Sequence, residues 1–311
     1  MNPTVSVIVA TYNRAALLRG CLESLLAQDG PEFEVLPPTP STPSTPSTKS
    51  SSAQDGPEFE VVCVDDGSPD RTPELLAEME AAHPGRLRWT RTENRGPGPA
   101  RNTGVDMARG AWVVIADDDI AAPPGWLAAL WAARARHGAE AVAFALEPCG
   151  ADTPAARYLH HRNLLATGRR LRRDYVGPAF LLLPREKYLE AGGFSAVRLA
   201  AAEDYDFCLR LRRIGVSVLF DPSITVGHHF DTEWAGVARK VRAAARDGAR
   251  VYLAAGRSRT LLALRALAKA ASAPLWSLWA YPPDLYTASL RMEVLFLRER
   301  MRALRGCGAD R

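Results

Sequence analysis

The sequence comprises 311 residues, of which 47% are hydrophobic and 24% are charged. This length and composition are typical of a globular protein with a sizeable core, and they exclude a disordered chain, a collagen, a coiled coil and a small disulfide-stabilised domain. The net charge of +4 is unevenly distributed: residues 232–311 carry 15 − 6 = +9, whereas residues 1–231 carry 24 − 29 = −5.

The amino-terminal residues and the cysteines bear on the cellular compartment. Met1–Thr11 has neither a basic start nor a cleavage site, so its apolar run predicts a strand and not a signal peptide. No apolar stretch approaches the ~18 uncharged residues of a spanning helix. The five cysteines are scattered and show no C-x-x-C pair, which predicts reduced thiols and a cytoplasmic location.

The first half of the chain alternates apolar strands with helices. The predicted strands are Val5–Ala10, Phe59–Val64, Leu87–Thr90 and Ala111–Ala116, and the predicted helices are Ala15–Ala27, Asp70–Ala82, Pro99–Ala108 and Pro124–His137. This alternation predicts an α/β fold with a mainly parallel sheet sandwiched by helices. Such sheets bind ligands at the carboxyl ends of their strands, which are here the residues after Ala10, Val64 and Ala116.

A direct repeat interrupts this alternation. AQDGPEFEV occurs at Ala27–Val35 and again at Ala53–Val61, a period of 26 residues, and 15 of the 16 residues at 36–52 that follow Leu36 are Ser, Thr or Pro. Because this composition cannot form a core, we predict that residues 36–52 form an inserted, disordered surface loop within a duplication. The alternative is that the Ser/Thr tract itself accepts sugars.

The second half is less regular. We predict strands at Ala141–Leu146, Phe180–Leu183, Val216–Phe220 and Ile224–Val226, and helices at Glu203–Ile214, Glu233–Ala255, Arg259–Ala271 and Tyr286–Arg305. PLWSLWAYPP is expected to separate the last two helices, because its prolines interrupt a helix. This division predicts a catalytic domain over 1–231 and a basic, helical carboxyl-terminal extension over 232–311.

Acidic residues follow two of the three buried strands. Asp65-Asp66 ends the second strand and Asp117-Asp118-Asp119 ends the third, while Thr11-Tyr12-Asn13-Arg14 ends the first. Clustered carboxylates repel one another unless a cation joins them, and Mg²⁺ and Mn²⁺ bridge protein carboxylates to substrate phosphates. Alternate residues of an extended segment point the same way, so Asp117 and Asp119 are expected to face one metal ion. An Asp-rich capped turn is the alternative.

Four segments together resemble family 2 glycosyltransferases of the GT-A fold. They are SVIVATYNR, VVCVDDGSPDRT, NRGPGPARNTGVDMARGAWVVIADDD and the pair GGF and EDYDFCLRLRRIG. Each motif is weak by itself, but their order and spacing over Val5 to His229 are specific. The resemblance implies an inverting transfer of sugar from a nucleoside-diphosphate sugar to an acceptor hydroxyl, in polysaccharide or glycoconjugate biosynthesis.

The resemblance also implies roles for individual residues in donor binding. Thr11 and Tyr12 would flank the base and Asp65 would hydrogen-bond to it, with an arginine fixing that carboxylate. The remaining residues expected in the nucleotide-sugar pocket are Arg14, Asn94, Arg101, Asn102, Asp117 and Asp118. Arg101 is alternatively an ordinary surface helix residue.

Asp204, the second residue of the predicted helix Glu203–Ile214, is the expected catalytic residue. The resemblance makes it the base that takes the proton of the acceptor hydroxyl, kept ionised by the helix dipole. Glu203, Gly193 and Phe194 would lie on the acceptor side. An acidic helix cap is the alternative for this pair, and a core position is the alternative for Phe194.

The same resemblance implies a metal cofactor. Asp117-Asp118-Asp119 corresponds to the family's D-x-D motif, so we expect Mn²⁺ or Mg²⁺ held by Asp119, with Asp117 beside it. A histidine after the last strand would complete the shell, His228 in the first place and His229 in reserve.

Two other functions remain open at this point. A sugar-phosphate nucleotidylyltransferase usually carries a Gly- and Arg-rich loop after the first strand, where this chain has Thr11-Tyr12-Asn13-Arg14. A non-catalytic nucleotide-sugar binding module would be expected to lack Asp204 or the D-x-D carboxylates.

The basic extension predicts an anionic partner or a merely solvated helix. Its aromatic cluster, Trp276, Trp279, Tyr281 and Tyr286, favours peripheral contact with the inner face of a membrane, or packing against the catalytic domain. Nucleic-acid binding is not expected, because no basic motif is interleaved with aromatic residues. A lipid-linked or other glycan acceptor would suit a membrane location.

Overall fold

A computed structural model describes residues 3–28, 59–168, 170–172, 180–195, 199 and 201–306. The strands are β1 (Val5–Thr11), β2 (Phe59–Asp65), β3 (Leu87–Arg91), β4 (Trp112–Asp117), β5 (Ile120–Ala121), β6 (Ala141–Cys149), β7 (Leu181–Pro184) and β8 (Val218–His229). The helices are α1 (Ala15–Leu26), α2 (Thr72–Ala82), α3 (Pro97–Met107), α4 (Trp126–His137), α5 (Pro154–Thr167), α6 (Arg185–Glu190), α7 (Glu203–Arg213), α8 (Trp234–Ala254), α9 (Arg259–Ala280) and α10 (Tyr286–Gly306). The predicted inserted loop, residues 36–52, lies outside the described residues.

The strands form one sheet of order β3-β2-β1-β4-β7-β6-β8-β5. The first four strands are mutually parallel, β6 and β8 are parallel, and β7 and β5 pair antiparallel with their neighbours. The sheet is therefore more mixed than the regular alternation predicted. The parallel half carries the three strand ends that the sequence singled out.

The core covers both faces of the sheet because alternate strand residues point to opposite sides. Val7 and Val9 of β1 pack in one cluster with Leu22 of α1, whereas Ile8 packs in a second cluster with Val105 of α3. Leu18, Cys21, Leu22 and Leu25 form the buried side of α1. The cysteines in the described part, Cys21, Cys63, Cys149 and Cys208, are free thiols.

Several predicted boundaries are wrong. The two expected strands around Asp221 are the single strand β8, in which the pairing with β6 shifts between Phe144 and Ala145. This irregularity accommodates Pro222, whose missing N–H interrupts a regular ladder. α5, α6 and the short strand β5 were not predicted, because their sequences show neither a clean helical stripe nor a strand of ordinary length.

The carboxyl-terminal helices pack on the α/β body. α9 continues through Pro274 to Ala280, where a break had been expected. Pro274 is exposed, so solvent can hydrate the carbonyl group that the proline leaves without a donor. Tyr281 is buried and stacks on Tyr158 of α5, with ring centroids 5.3 Å apart. Within the described residues, no helix is both long and apolar enough to cross a membrane.

Candidate functional site

The three strand ends meet at one edge of the sheet, as predicted. In the register of the sheet, Thr11 of β1 is paired with Asp65 of β2, and Ala10 is paired with Asp117 of β4. A cavity of about 890 Å³ opens at this edge. The predicted site residues that line it are Thr11, Tyr12, Arg14, Asn94, Arg101, Asp117, Asp118, Asp119, Glu203, Asp204 and His228.

Asp118 lies in a turn between β4 and β5 and ties the first strand end to the third. The hydroxyl of Thr11 donates to its Oδ2 atom at 2.7 Å, and Arg14 Nη1 donates to its Oδ1 atom at 3.0 Å. Burial raises the pKa of Asp118 to about 6, although the charge of Arg14 opposes this increase. Asp117 thus ends β4 and only Asp118 and Asp119 form a turn, so the segment is not the extended run that we expected, but its carboxylates still converge.

Asp117, Asp119 and His228 form a cluster that can hold a cation. One ligand atom from each lies within 4.8 Å of the others. The antiparallel pairing of β5 with β8 produces this arrangement, because it places Ile120 opposite His228. His228 Nε2 is 3.2 Å from Asp119 Oδ1. Burial acts to raise the pKa of Asp119, but His228 and Arg14 outweigh it and lower this pKa to about 2.

Two buried atoms of this cluster accept or donate no hydrogen bond within the described part of the chain. They are Asp119 Oδ1 and His228 Nδ1. Buried polar atoms are normally satisfied, so an orphaned carboxylate oxygen beside an imidazole fits a missing ligand. Two carboxylates and one imidazole suit Mn²⁺ or Mg²⁺. The residues present therefore fit the expected metal ion.

His229, the reserve ligand, is placed differently. Its backbone N–H donates to the carbonyl oxygen of Asp119 at 2.9 Å, which fixes the turn against β8. Its ring lies beside Gly150, where an added Cβ would come within 2.7 Å of Nδ1. The structure thus favours His228 over His229 as the ligand.

Arg101 of α3 joins the metal cluster to the start of α7. Its Nη2 donates to Asp117 Oδ1 at 2.7 Å and its Nη1 donates to Glu203 Oε1 at 3.1 Å. Arg101 is buried, and these two carboxylates hold its pKa above the ordinary value despite the loss of solvation. The alternative of an ordinary surface residue is wrong, because the side chain bridges two acidic groups in the cavity wall.

Asp204 is the second residue of α7, as the sequence predicted. It lines the large cavity and also a smaller one of about 350 Å³ that adjoins it. Its Oδ1 atom accepts a hydrogen bond from the backbone N–H of Tyr205 at 2.7 Å. Burial, and then the charge of Glu203, raise the pKa of Asp204 to about 7. A carboxyl group with this pKa can gain and lose a proton near neutral pH.

Asp65 does not line the cavity, contrary to the expectation that it meets the base. It is fully buried, accepts a hydrogen bond from the backbone N–H of Ser68 at 2.9 Å, and lies 3.4 Å from Arg91 Nε. The arginine beside this carboxylate is therefore Arg91. Asp66 lines the cavity instead and accepts hydrogen bonds from the backbone N–H groups of Arg95 and Gly96.

Asn102, Gly193 and Phe194 do not line either cavity, and hydrogen bonds with Asn102 hold the turn at residues 193–194 against α3. Asn102 Oδ1 accepts hydrogen bonds from the hydroxyl of Tyr188 and from the backbone N–H of Phe194, while its Nδ2 donates to the Phe194 carbonyl. Phe194 is buried and stacks on Phe207 at 4.8 Å. The roles of Asn102 toward the nucleotide and of Phe194 toward the acceptor therefore stay predictions, and the burial of Phe194 agrees with the core alternative.

Sequence reasoning missed the contribution of α5 and α8 to the site. Arg162 of α5 and Lys240 of α8 line both cavities, and Arg246 lines the larger one. The extension was expected to contact a membrane or to pack against the catalytic domain, and its helix α8 forms part of the cavity wall. The excess of positive charge on α8 was the available signal, because an acidic site needs cations to retain anionic substrates.

Comparison with known proteins agrees with this geometry. The profile of glycosyl transferase family 2 matches residues 6–37 and 45–205. The succinoglycan biosynthesis protein ExoO of Rhizobium meliloti is 35% identical over 117 residues, covering 38% of this chain and 26% of that protein. The chondroitin synthase of Escherichia coli is 27% identical over 231 residues, covering 68% of this chain and 27% of that protein. The chain thus spans about a quarter of the length of these relatives.

Two solved structures share the fold over nearly the whole chain. One is the mannosyltransferase PcManGT of Pyrobaculum calidifontis in complex with GDP-Man and Mn²⁺, with a TM-score of 0.63, 23% identity, and coverage of 98% of this chain and 88% of that one. The other is S. aureus TarS 1–349 in complex with UDP, with a TM-score of 0.51, 17% identity, and coverage of 99% and 91%.

The predicted GT-A fold with a helical carboxyl-terminal region is confirmed by these similarities and by the mixed sheet with its flanking helices. The family profile covers more than half of the chain, including β1, both acidic strand ends and the start of α7. The chain therefore belongs to glycosyl transferase family 2.

Proposed function

We propose that the protein is a metal-dependent, inverting glycosyltransferase that moves a sugar from a nucleoside-diphosphate sugar to an acceptor hydroxyl in glycan biosynthesis. The observation that carries the proposal is that a candidate cation cluster and a carboxyl group with a pKa near neutrality line one cavity at the strand ends. Membership of family 2 supports it, as does the similarity to a mannosyltransferase bound to GDP-Man and Mn²⁺.

The donor occupies the large cavity in this proposal. Asp117, Asp119 and His228 hold Mn²⁺ or Mg²⁺, which when bound neutralises the diphosphate and favours its departure. Tyr12 stands 46% exposed at the cavity wall and Asn94 and Asp66 line it, which suits contact with the base and ribose. Arg101 fixes Asp117 on one side while Arg14 fixes Asp118 and Asp119 on the other.

Asp204 is the general base of the proposed reaction. Its carboxylate accepts the proton of the acceptor hydroxyl while that oxygen forms a bond to the anomeric carbon, and the bond from this carbon to the diphosphate oxygen breaks on the opposite face. The nucleoside diphosphate leaves with the electron pair of that bond. Glu203 is engaged by Arg101, which leaves Asp204 as the carboxyl group of this pair suited to accept the proton.

The smaller cavity is the proposed acceptor site. Asp204 stands at the junction of the two cavities, which is where a base between donor and acceptor belongs. The smaller cavity is lined by the apolar side chains of Leu159, Phe180 and Phe230 and by two cations, Arg162 and Lys240. This lining favours an acceptor with both a hydrophobic surface and an anionic group. A domain boundary at residue 231 stays a prediction, and α8 belongs functionally to the site in this proposal.

A donor screen tests the proposal. Purified protein is incubated with UDP-, GDP- and dTDP-sugars and Mn²⁺, and the release of nucleoside diphosphate is measured. We expect turnover of one donor that EDTA abolishes and that falls ~10²-fold or more in Asp204→Asn. Asp152→Asn is the matched control, because that side chain is 73% exposed.

Four outcomes would contradict the proposal. Full activity in excess EDTA would show that the reaction needs no metal ion. Undiminished turnover by Asp204→Asn would show that another residue is the base. Donor binding without turnover of any donor or acceptor would indicate a binding module. Release of pyrophosphate from a nucleoside triphosphate and a sugar phosphate would indicate a nucleotidylyltransferase.

A further inference from the structure

An apolar face runs along the solvent side of α9. Its members are Leu261, Leu264, Leu267, Leu275, Leu278 and Trp279, with exposed fractions from 43% to 82%. At about 100° per residue, these six positions fall within an arc of about 120° on the helix surface. Monomeric soluble proteins rarely expose large apolar side chains contiguously, so this face, here called the α9 face, calls for a partner.

The opposite side of α9 is the one that holds the helix on the protein. Leu262, Ala273 and Ser277 are buried, and Trp276 packs against the main core. Lys269 pairs with Glu293 of α10 at 3.0 Å. The α9 face is therefore distinct from the side of the helix that packs on the protein, because other residues form that buried side.

The charges around the α9 face are positive. α9 contains Arg259, Arg265 and Lys269 and no acidic residue over its whole length. Arg291 and Arg298 of the neighbouring helix α10 are exposed as well. Residues 232–311 together carry +9. An apolar face beside cationic side chains is complementary to the acyl chains and anionic headgroups of a bilayer.

A second copy of the chain fits this surface less well. Isologous contact through the α9 face would bring each helix against its own equivalent. Such a contact would join two helices that each carry three cations, Arg259, Arg265 and Lys269, and no acidic residue to compensate. Like charges at an interface oppose association.

The aromatic residues near the end of α9 also divide into residues that pack on the protein and one that is exposed. Tyr281 is buried against Tyr158 and Trp276 is partly buried, so packing on the body accounts for both. Trp279 is 82% exposed at the end of the α9 face. Tryptophan favours the water–hydrocarbon boundary of a bilayer, where its ring is partly apolar and its N–H is hydrated.

We propose that the α9 face is a membrane-docking surface that lies in the headgroup region of an anionic bilayer, with its leucines and Trp279 inserted among the acyl chains. The protein would then act at a membrane surface without a spanning segment contributed by α9. The proposal does not depend on the glycosyltransferase chemistry of the cavity.

Vesicle co-sedimentation of the full chain tests it. We expect binding to vesicles of phosphatidylcholine with phosphatidylglycerol at low salt, weaker binding at high salt, and little binding to phosphatidylcholine alone. The triple variant Leu275→Ser, Leu278→Ser, Trp279→Ala should lose at least about tenfold in partitioning. These side chains are mostly exposed, so the fold should survive, and circular dichroism checks this.

Leu189→Ser is the matched control, because Leu189 is 44% exposed on α6, away from α9. It should bind vesicles like the unchanged protein. Failure of the unchanged protein to bind anionic vesicles, or undiminished binding by the triple variant, would overturn the proposal. So would a dimer in sedimentation velocity that the triple variant converts to a monomer, because the face would then join two copies.

Discussion

Replacement of Asp204 by Asn should make the protein more stable and less active, and the effect on stability should depend on pH. The pKa of Asp204 lies at about 7 in the fold against an ordinary value of 3.8. Because the folded state holds the proton more tightly, the contribution of this carboxyl group to stability is fully present below pH ~4. It is lost as pH rises through about 7, where the buried group must ionise.

The magnitude follows from this difference in pKa. About three pKa units correspond to an upper limit of about 4 kcal/mol at alkaline pH, at about 1.4 kcal/mol for each unit. Asp204 lines two water-accessible cavities, so solvent reduces the effect, and we expect about 1–2 kcal/mol. Asp204→Asn should therefore exceed the unchanged protein in free energy of unfolding at pH 8, with a much smaller difference at pH 4.

Urea denaturation in EDTA at both pH values measures this difference, with Asp152→Asn as the control for loss of a single carboxylate. In activity, the unchanged protein should show an acid limb near pH 7, where Asp204 becomes ionised. Glu203→Gln should move that limb to lower pH, because it removes a neighbouring negative charge. Equal pH dependence of stability in Asp204→Asn and the unchanged protein would refute the reasoning.

Three further predictions concern the metal cluster, the turn at Gly193 and the direct repeat. Asp119→Asn and His228→Ala should each weaken Mn²⁺ binding at least about tenfold in titration calorimetry, and unchanged affinity would move the site elsewhere. Gly193→Ala should destabilise by about 1–3 kcal/mol in urea, because its φ is +58° and a Cβ would come within 2.6 Å of Asn102 Oδ1; Gly85→Ala, at φ +79° with open space, should cost less. Deletion of residues 36–61 should change the melting temperature little and preserve turnover, because the identical first copy EFEV then leads into Val62; a folded but inactive deletion variant would contradict this.

The deletion removes Glu60, a buried residue of β2 whose hydrogen bonds must be replaced. Glu60 is buried and accepts hydrogen bonds from the hydroxyl of Ser6 and the backbone N–H of Arg109. After the deletion, Glu34 of the first copy must take its place in β2. Retained stability would show that the two copies are interchangeable in the sheet.

The location of the site was predictable from the sequence because β1, β2 and β4 are short apolar runs, each followed at once by polar residues. Parallel strands bring such ends to one edge whatever the rest of the chain does. The direction of each side chain was harder to predict. Val61 and Cys63 pack on one core face and Val62 packs on the other, so strand alternation did not show whether Asp65 or Asp66 faces the cavity.

Other parts of the site depended on contacts distant in sequence. Asn102 binds the 193–194 turn across more than ninety residues, and no local pattern distinguishes this from a ligand contact. The approach of α8 to the cavity was equally hidden, because an amphipathic basic helix can be solvated or packed. α9 continues through Pro274 because its other residues, mostly Ala and Leu, favour a helix strongly.

Crystals of the protein grown with a nucleoside diphosphate and Mn²⁺ would test the central claim most directly, through an anomalous difference map recorded at the manganese edge. We expect a peak bounded by the carboxylates of Asp117 and Asp119 and the imidazole of His228, with the diphosphate beside it in the large cavity. A bound nucleotide without manganese at this cluster, or manganese held by other residues, would contradict it.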